Sequence, residues 1–136
     1  MLVVDGSVLL AWAVQAPASA AAAALPEEET ELAAPQSALV EAVEGARRLA
    51  RLGHVSGEDL ARLPGLLAPL LTILAADASL MPQAARLAEE HELALPAALA
   101  LALAQVRQGR LATLDAKLAQ AAEQVLGAER VRLLRA

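Results

Sequence analysis

A three-layer α/β/α domain on a central parallel sheet of four to five strands is the fold class this sequence predicts. Three observations carry that prediction. The chain opens Met-Leu-Val-Val-Asp-Gly-Ser, and its apolar run reads as a strand buried on both faces, as parallel sheets require. Short apolar runs then alternate with longer helix-like segments to the C-terminus, the pattern of βαβ units. No internal repeat and no linker interrupts the 136 residues, so they are read as one domain, 1–136, long enough to bury a sizeable core.

The elements follow in order. Met1–Ser7 holds the first strand, with Asp5 at its carboxyl end and Ser7 as the expected N-cap of a helix over Val8–Gln15. Pro17–Leu25 is an Ala-rich helix with Pro at its start, followed by Pro26 and the acidic loop Glu27, Glu28, Glu29, expected to be a solvated face. Glu31–Ala34 is a second strand, ended by Pro35; Ser37 should cap a helix reaching Leu52, broken by Gly53. Ser56-Gly-Glu-Asp59 opens a helix toward Ala68 that Pro64 should kink. Leu70–Ala75 is a third strand, Leu80–His91 an amphipathic helix, and Pro96–Gln108 a helix stopped by Gly109. Leu111–Leu114 is a fourth strand leading through Asp115 into a helix to Val125, and Arg130–Leu134 a fifth.

Composition removes several function classes. There is no Cys, so neither a disulfide framework nor a thiolate zinc site can form, and a reducing cytoplasm is the expected location. A net charge of −5 denies the chain a global basic field for nucleic acid, so such contact needs a local patch or a cation held by the acids. One Trp and no Phe or Tyr leave no stacking platform for single strands. The uncharged runs Leu63–Ala76 and Leu93–Val106 are too short to span a bilayer, which takes about 20 residues. Gly6–Pro26 is interrupted by Gln15, Pro17 and Ser19, and no Lys or Arg precedes Arg47, so neither a spanning helix nor an export signal is read there.

Three acids share one relation to their elements. Asp5 and Asp115 each follow an apolar strand, and Glu41 lies one turn inside the helix after the second strand. If the first and fourth strands are neighbours, these side chains meet where open α/β sheets place their ligands. Gathered carboxylates repel one another unless a cation is present, and oxygen-only ligands suit Mg²⁺ or Mn²⁺, which can activate water toward a phosphodiester. Each acid has a plainer role beside this one: Asp5 and Asp115 can cap the helices they precede, and Glu41 alone would be a surface residue. Ser7 and Thr113, without a His nearby, are read as caps or hydrogen-bond partners of the acids, not nucleophiles. His54 and His91 suit helix C-termini, and Trp12 suits core or interface packing. Arg47, Arg48 and Arg51 form the densest basic cluster, a solvated helix face or a contact for phosphates or an acidic partner.

Leu-Val-Val-Asp5-Gly-Ser7, Ala34-Pro-Gln-Ser-Ala-Leu-Val-Glu41 and Leu114-Asp115-Ala-Lys-Leu-Ala, with Ala88-Glu-Glu-His91 followed by Leu95-Pro-Ala-Ala-Leu99, stand in an order that resembles the PIN domain. The resemblance covers nearly the whole chain and is closest to the VapC-type toxin ribonucleases. It implies an endoribonuclease using Mg²⁺ or Mn²⁺ on RNA, with Asp5, Glu41 and Asp115 as catalytic metal ligands. It also implies a cognate antitoxin protein as partner, and a homodimer. Where the family carries an Asp early in the helix after its Leu-Thr-x-x-Asp-Ala stretch, this chain has Ala97; where it often has Asn three residues after the helix acid, this chain has Glu44. Residues i and i+3 share a helix face, so Glu44 is expected to restore part of the lost charge as a fourth metal ligand. The other functional class open to the chain is a catalytically silent PIN fold kept as a binding or scaffolding module, with Ala97 as the mark of lost activity.

Overall fold

Leu2, Val3 and Val4 are almost wholly withdrawn from water, and the strand they form, β1 (Leu2–Val4), lies in the middle of a five-stranded parallel sheet. The computed structural model describes residues 1–14, 19–53 and 56–135. Among them β1 is followed by α1 (Gly6–Ala13), α2 (Ser19–Glu28), β2 (Leu32–Pro35), α3 (Gln36–Arg51) and α4 (Gly57–Leu67). After a 3₁₀ turn at Ala68–Leu70 come β3 (Ile73–Ala75), α5 (Met81–His91), α6 (Leu95–Val106), β4 (Arg110–Thr113) and α7 (Ala116–Leu126). A second 3₁₀ turn, Ala128–Arg130, leads into β5 (Val131–Leu133).

The strand order is β3-β2-β1-β4-β5. Chain order therefore reverses beside β1, and the carboxyl ends of β1 and β4 flank the switch point where doubly wound sheets hold ligands. Side chains alternate across each strand. Val3, Ala33 and Leu111 enter one core with α5, α6 and α7. Leu2, Val4, Leu32, Ala34 and Ala112 enter the other with α1, α2, α3 and α4. Both faces are covered, which completes the three layers. Residues Ala98 to Ala104 of α6 are buried without a break, so this helix is apolar all round. In α3 the buried positions are Ala38, Ala42 and Ala46. These small residues let α1 lie close; a Cβ on Gly45 would come within 2.7 Å of Leu10 Cδ2.

Several local expectations are corrected. Asp5, not Ser7, caps α1: its side chain accepts from the Val8 amide. Ser37 does not cap α3, whose N-cap is Pro35 with no side-chain bond of its own. The second helix runs on through Pro26 into Glu27 and Glu28. The acidic run is no mere solvated face, because Glu28 pairs with Arg132 at 3.0 Å and Glu29 with Arg110 at 2.6 Å. Ser56 does cap α4, accepting from the Asp59 amide. After α6 the left-handed residue is Gln108 (φ 52°). Gly109 is favoured instead by crowding, since a Cβ there would lie 3.0 Å from the Met1 carbonyl oxygen. Trp12 packs half-buried against the second core and donates from its indole to the Ala22 carbonyl at 2.6 Å. The expectations at Gln15, Pro17 and His54 lie outside the described residues. Among the described residues no helix is long and apolar enough to cross a membrane.

Two substitutions should separate core from surface. Leu111→Ala empties a fully buried site between β1 and β5 and should cost about 2–5 kcal/mol in urea unfolding. Glu29→Ala removes a surface ion pair and should cost under about 1 kcal/mol, an effect that fades at high salt.

Candidate metal-binding notch

The site starts at the end of β1. Asp5 is buried, 4% exposed, and each of its oxygens is engaged. Oδ1 accepts from the Ser7 hydroxyl at 2.6 Å and the Val8 amide at 3.2 Å; Oδ2 accepts from the Thr113 hydroxyl at 2.5 Å. Both hydroxyls are used twice. Ser7 Oγ accepts from the Leu114 amide at 3.0 Å, and Thr113 Oγ1 from the Asp115 amide at 3.0 Å. The network spans the ends of β1 and β4, so the carboxylate sits at the switch point with both oxygens hydrogen-bonded. Burial pushes the Asp5 carboxyl up; the bonds from Ser7, Thr113 and Val8 pull it back, and the charge of Asp115 pushes it up again.

Asp115 caps α7, accepting on Oδ1 from the Lys117 amide at 2.9 Å and the Leu118 amide at 3.3 Å. Among the described residues its Oδ2 accepts no hydrogen bond, and the residue is exposed. The capping role and a ligand role are therefore compatible, since they use different oxygens.

Glu41 reaches the notch from α3. Its carboxylate lies against the Gly6 backbone, whose N–H offsets part of the upward pull on its pKa. A Cβ on Gly6 would sit 2.5 Å from Glu41 Cβ and 2.7 Å from Oε1, so only glycine admits this approach. The Glu41 carboxyl is pushed up to about 7, first by its partial removal from water against this wall, then by the charges of Asp5 and Asp115. More than a third of the residue remains exposed, so water screens part of these effects. Asp5 and Asp115 thus act electrostatically on Glu41, and Asp115 acts on Asp5. Glu44 is turned to another use: it pairs with Arg47 at 3.1 Å. Arg48 lines a cavity of about 450 Å³ with Ser37, Glu41, Glu44, Asp77 and Pro96, while Arg51 is exposed in the last turn of α3.

The donor set is all oxygen, which suits a hard dication. Among the described residues no three acidic or imidazole groups stand close enough to enclose an ion by themselves. A cation here would take fewer carboxylates and complete its shell with water, as Mg²⁺ commonly does. Ala97, in the first turn of α6, packs against the core beside Pro96 on the rim of the same cavity.

Asp77 escapes the sequence reading. It follows β3 by two residues, as Asp115 follows β4, and that shared spacing was the available signal. Gly6 was also missed, because its role is steric and depends on an α3 residue distant in sequence.

A family model described as the PIN domain matches residues 2–124. Among solved structures, the chain is similar to PAE2754 from Pyrobaculum aerophilum, with 24% identity, a TM-score of 0.71, and 94% of this chain and 90% of that one covered. It is also similar to FitAcB from Neisseria gonorrhoeae, with 19% identity, a TM-score of 0.61, and coverage of 99% and 97%. At these identities both show the shared fold alone. No curated protein matches the chain.

The elevated Glu41 fixes the sign of a pH effect. Between about 4.5 and about 7 the folded state keeps a proton that the unfolded state has released, so stability falls as pH rises through that window. The melting temperature in chelator should fall across it, and Glu41→Gln should flatten the curve, leaving the slope that Asp5 contributes in the same direction. Gly6→Ala should cost about 1–3 kcal/mol by overpacking against Glu41, measured by thermal unfolding.

Proposed function

Because the chain belongs to the PIN domain family, we propose that it is an endoribonuclease of the VapC type, dependent on Mg²⁺ or Mn²⁺ and cleaving RNA phosphodiesters. The observation that carries the reading is the Glu41 carboxyl, raised to about 7 first by its partial burial and then by the charges of Asp5 and Asp115, a perturbation of the kind that gathers at functional sites. Asp5 and Asp115 would hold the cation, with Glu41 on its open side and Glu44 able to join only by leaving Arg47. When bound, the ion would lower the pKa of an attacking water and offset charge gathering on the phosphate.

The protein's own part is positioning. Ser7 and Thr113 hold Asp5 in one orientation through bonds to its two oxygens. Glu41, with its pKa near neutrality, can accept a proton from a water in the notch on its carboxylate. Arg47, Arg48 and Arg51 offer cations along α3 for flanking phosphates. On the VapC resemblance we further propose a cytoplasmic protein, a homodimer, and a cognate antitoxin as partner.

A second reading has its own support. α6 begins with no acid in its first turn, and Ala97 occupies that turn. This favours a catalytically silent PIN fold serving as a binding or scaffolding module.

Thermal shift with Mn²⁺ and cleavage of structured RNA decide between them. A cation bound only by the folded state should raise stability by about 2.7 kcal/mol at a hundredfold excess over its Kd. Asp115→Asn keeps a capping acceptor but removes the charge, and should weaken Mn²⁺ binding and cleavage by about tenfold or more. Ala97→Asp should strengthen both, since it returns the carboxylate that the family pattern places at this position and adds an oxygen donor for the cation. A wild-type protein showing neither shift nor cleavage would leave only the silent module.

A further inference from the structure

Helix α3 carries Glu41 but begins without a cap of its own. It starts at Gln36 directly after β2, and Pro35, its N-cap, offers no side-chain acceptor. Ser37 does not serve either: its hydroxyl is buried and finds no hydrogen-bond partner among the described residues. The first turn of any helix leaves amides that need an acceptor. Here the acceptor comes from forty residues away. Asp77, in the turn after β3, accepts on Oδ1 from the Ser37 amide at 3.4 Å. Ser37 lies one turn before Glu41, and Ser37, Glu41 and Asp77 line one cavity. We propose that Asp77 is a positioning residue for Glu41, capping α3 from the end of β3 and so seating the Glu41 carboxylate against Gly6.

The physical consequence is a change in population. Without the cap, the first turn of α3 frays part of the time, and Glu41 is in place only in the remainder. Any ligand needing Glu41 in place then binds more weakly by that fraction. The effect on a cation rests on the metal-site reading above; the effect on Glu41 does not. Asp77 acts here by accepting a hydrogen bond, so an amide acceptor should replace it, since Asn caps about as well as Asp.

Two measurements test this on Asp77→Ala and Asp77→Asn in the full chain. The first is amide NMR without metal, read at Ser37 and Gly6. Asp77→Ala should lose hydrogen-exchange protection at Ser37 and shift the Gly6 amide, which reports the Glu41 carboxylate beside it. Asp77→Asn should keep both as in wild type. The second is Mn²⁺ binding by calorimetry, where Asp77→Ala should weaken apparent affinity about fivefold, as loss of a cap would, and Asp77→Asn should restore it. Unchanged Ser37 and Gly6 amides in Asp77→Ala overturn the proposal. Equal loss of Mn²⁺ affinity in both variants also overturns it, because the carboxylate charge rather than the cap would then be in use. If wild type binds no Mn²⁺, the metal-site reading falls, and the Gly6 amide alone decides the role of Asp77.

Discussion

A carboxylate withdrawn from water at the end of β1 sets the terms for everything around it. An ionised group buried alone would cost many kcal/mol, so the surrounding chain must answer it. It does so with three donors from two strand ends: the Ser7 hydroxyl, the Val8 amide and the Thr113 hydroxyl. Those hydroxyls in turn satisfy the Leu114 and Asp115 amides, where β4 hands over to α7. The same bonds that make Asp5 tolerable therefore fix the relation of β1 to β4. The notch is a by-product of satisfying one buried charge.

Small residues make the notch possible at the next level. α1 and α3 approach closely because α3 presents Ala38, Ala42 and Ala46 to the core and because Gly45 faces Leu10. Gly6 opens the same contact at its top, letting the Glu41 carboxylate lie against backbone. An Ala-rich composition that looks featureless in sequence is, in the folded chain, the condition for bringing a third acid to the first two. Partial burial there, and then the charges of Asp5 and Asp115, push Glu41 up.

The acids differ in how plainly the sequence announced them. Asp5 directly follows a buried apolar strand, a position whose desolvation cost demands an explanation, while exposed Asp115, two residues past β4, was legible from its place after an apolar run. Glu41 was legible only through its order between them. Asp77 obeys the same strand-end spacing, but β3 is short and only partly buried, so its run gave a weaker signal. Glu44 was expected among the ligands from its place in the family pattern and its i, i+3 spacing from Glu41. Spacing says nothing of competitors, and Arg47, three residues further on, pairs with it. The caps failed for a related reason: propensity favoured Ser7 and Ser37, but the turn geometry at the strand ends assigned the acceptors to Asp5 and Asp77.

By itself, the sequence determined the α/β class, the alternation of strands and helices, and the two strand-end acids, because periodicity and burial cost are local properties of the chain. Only the tertiary structure decided the strand order that makes β1 and β4 neighbours, the ion pairs that claim Glu28 and Glu29, and the cap that Asp77 lends to α3. Each of these joins residues scores of positions apart, and such contacts depend on which elements pack together, a choice that no local pattern encodes.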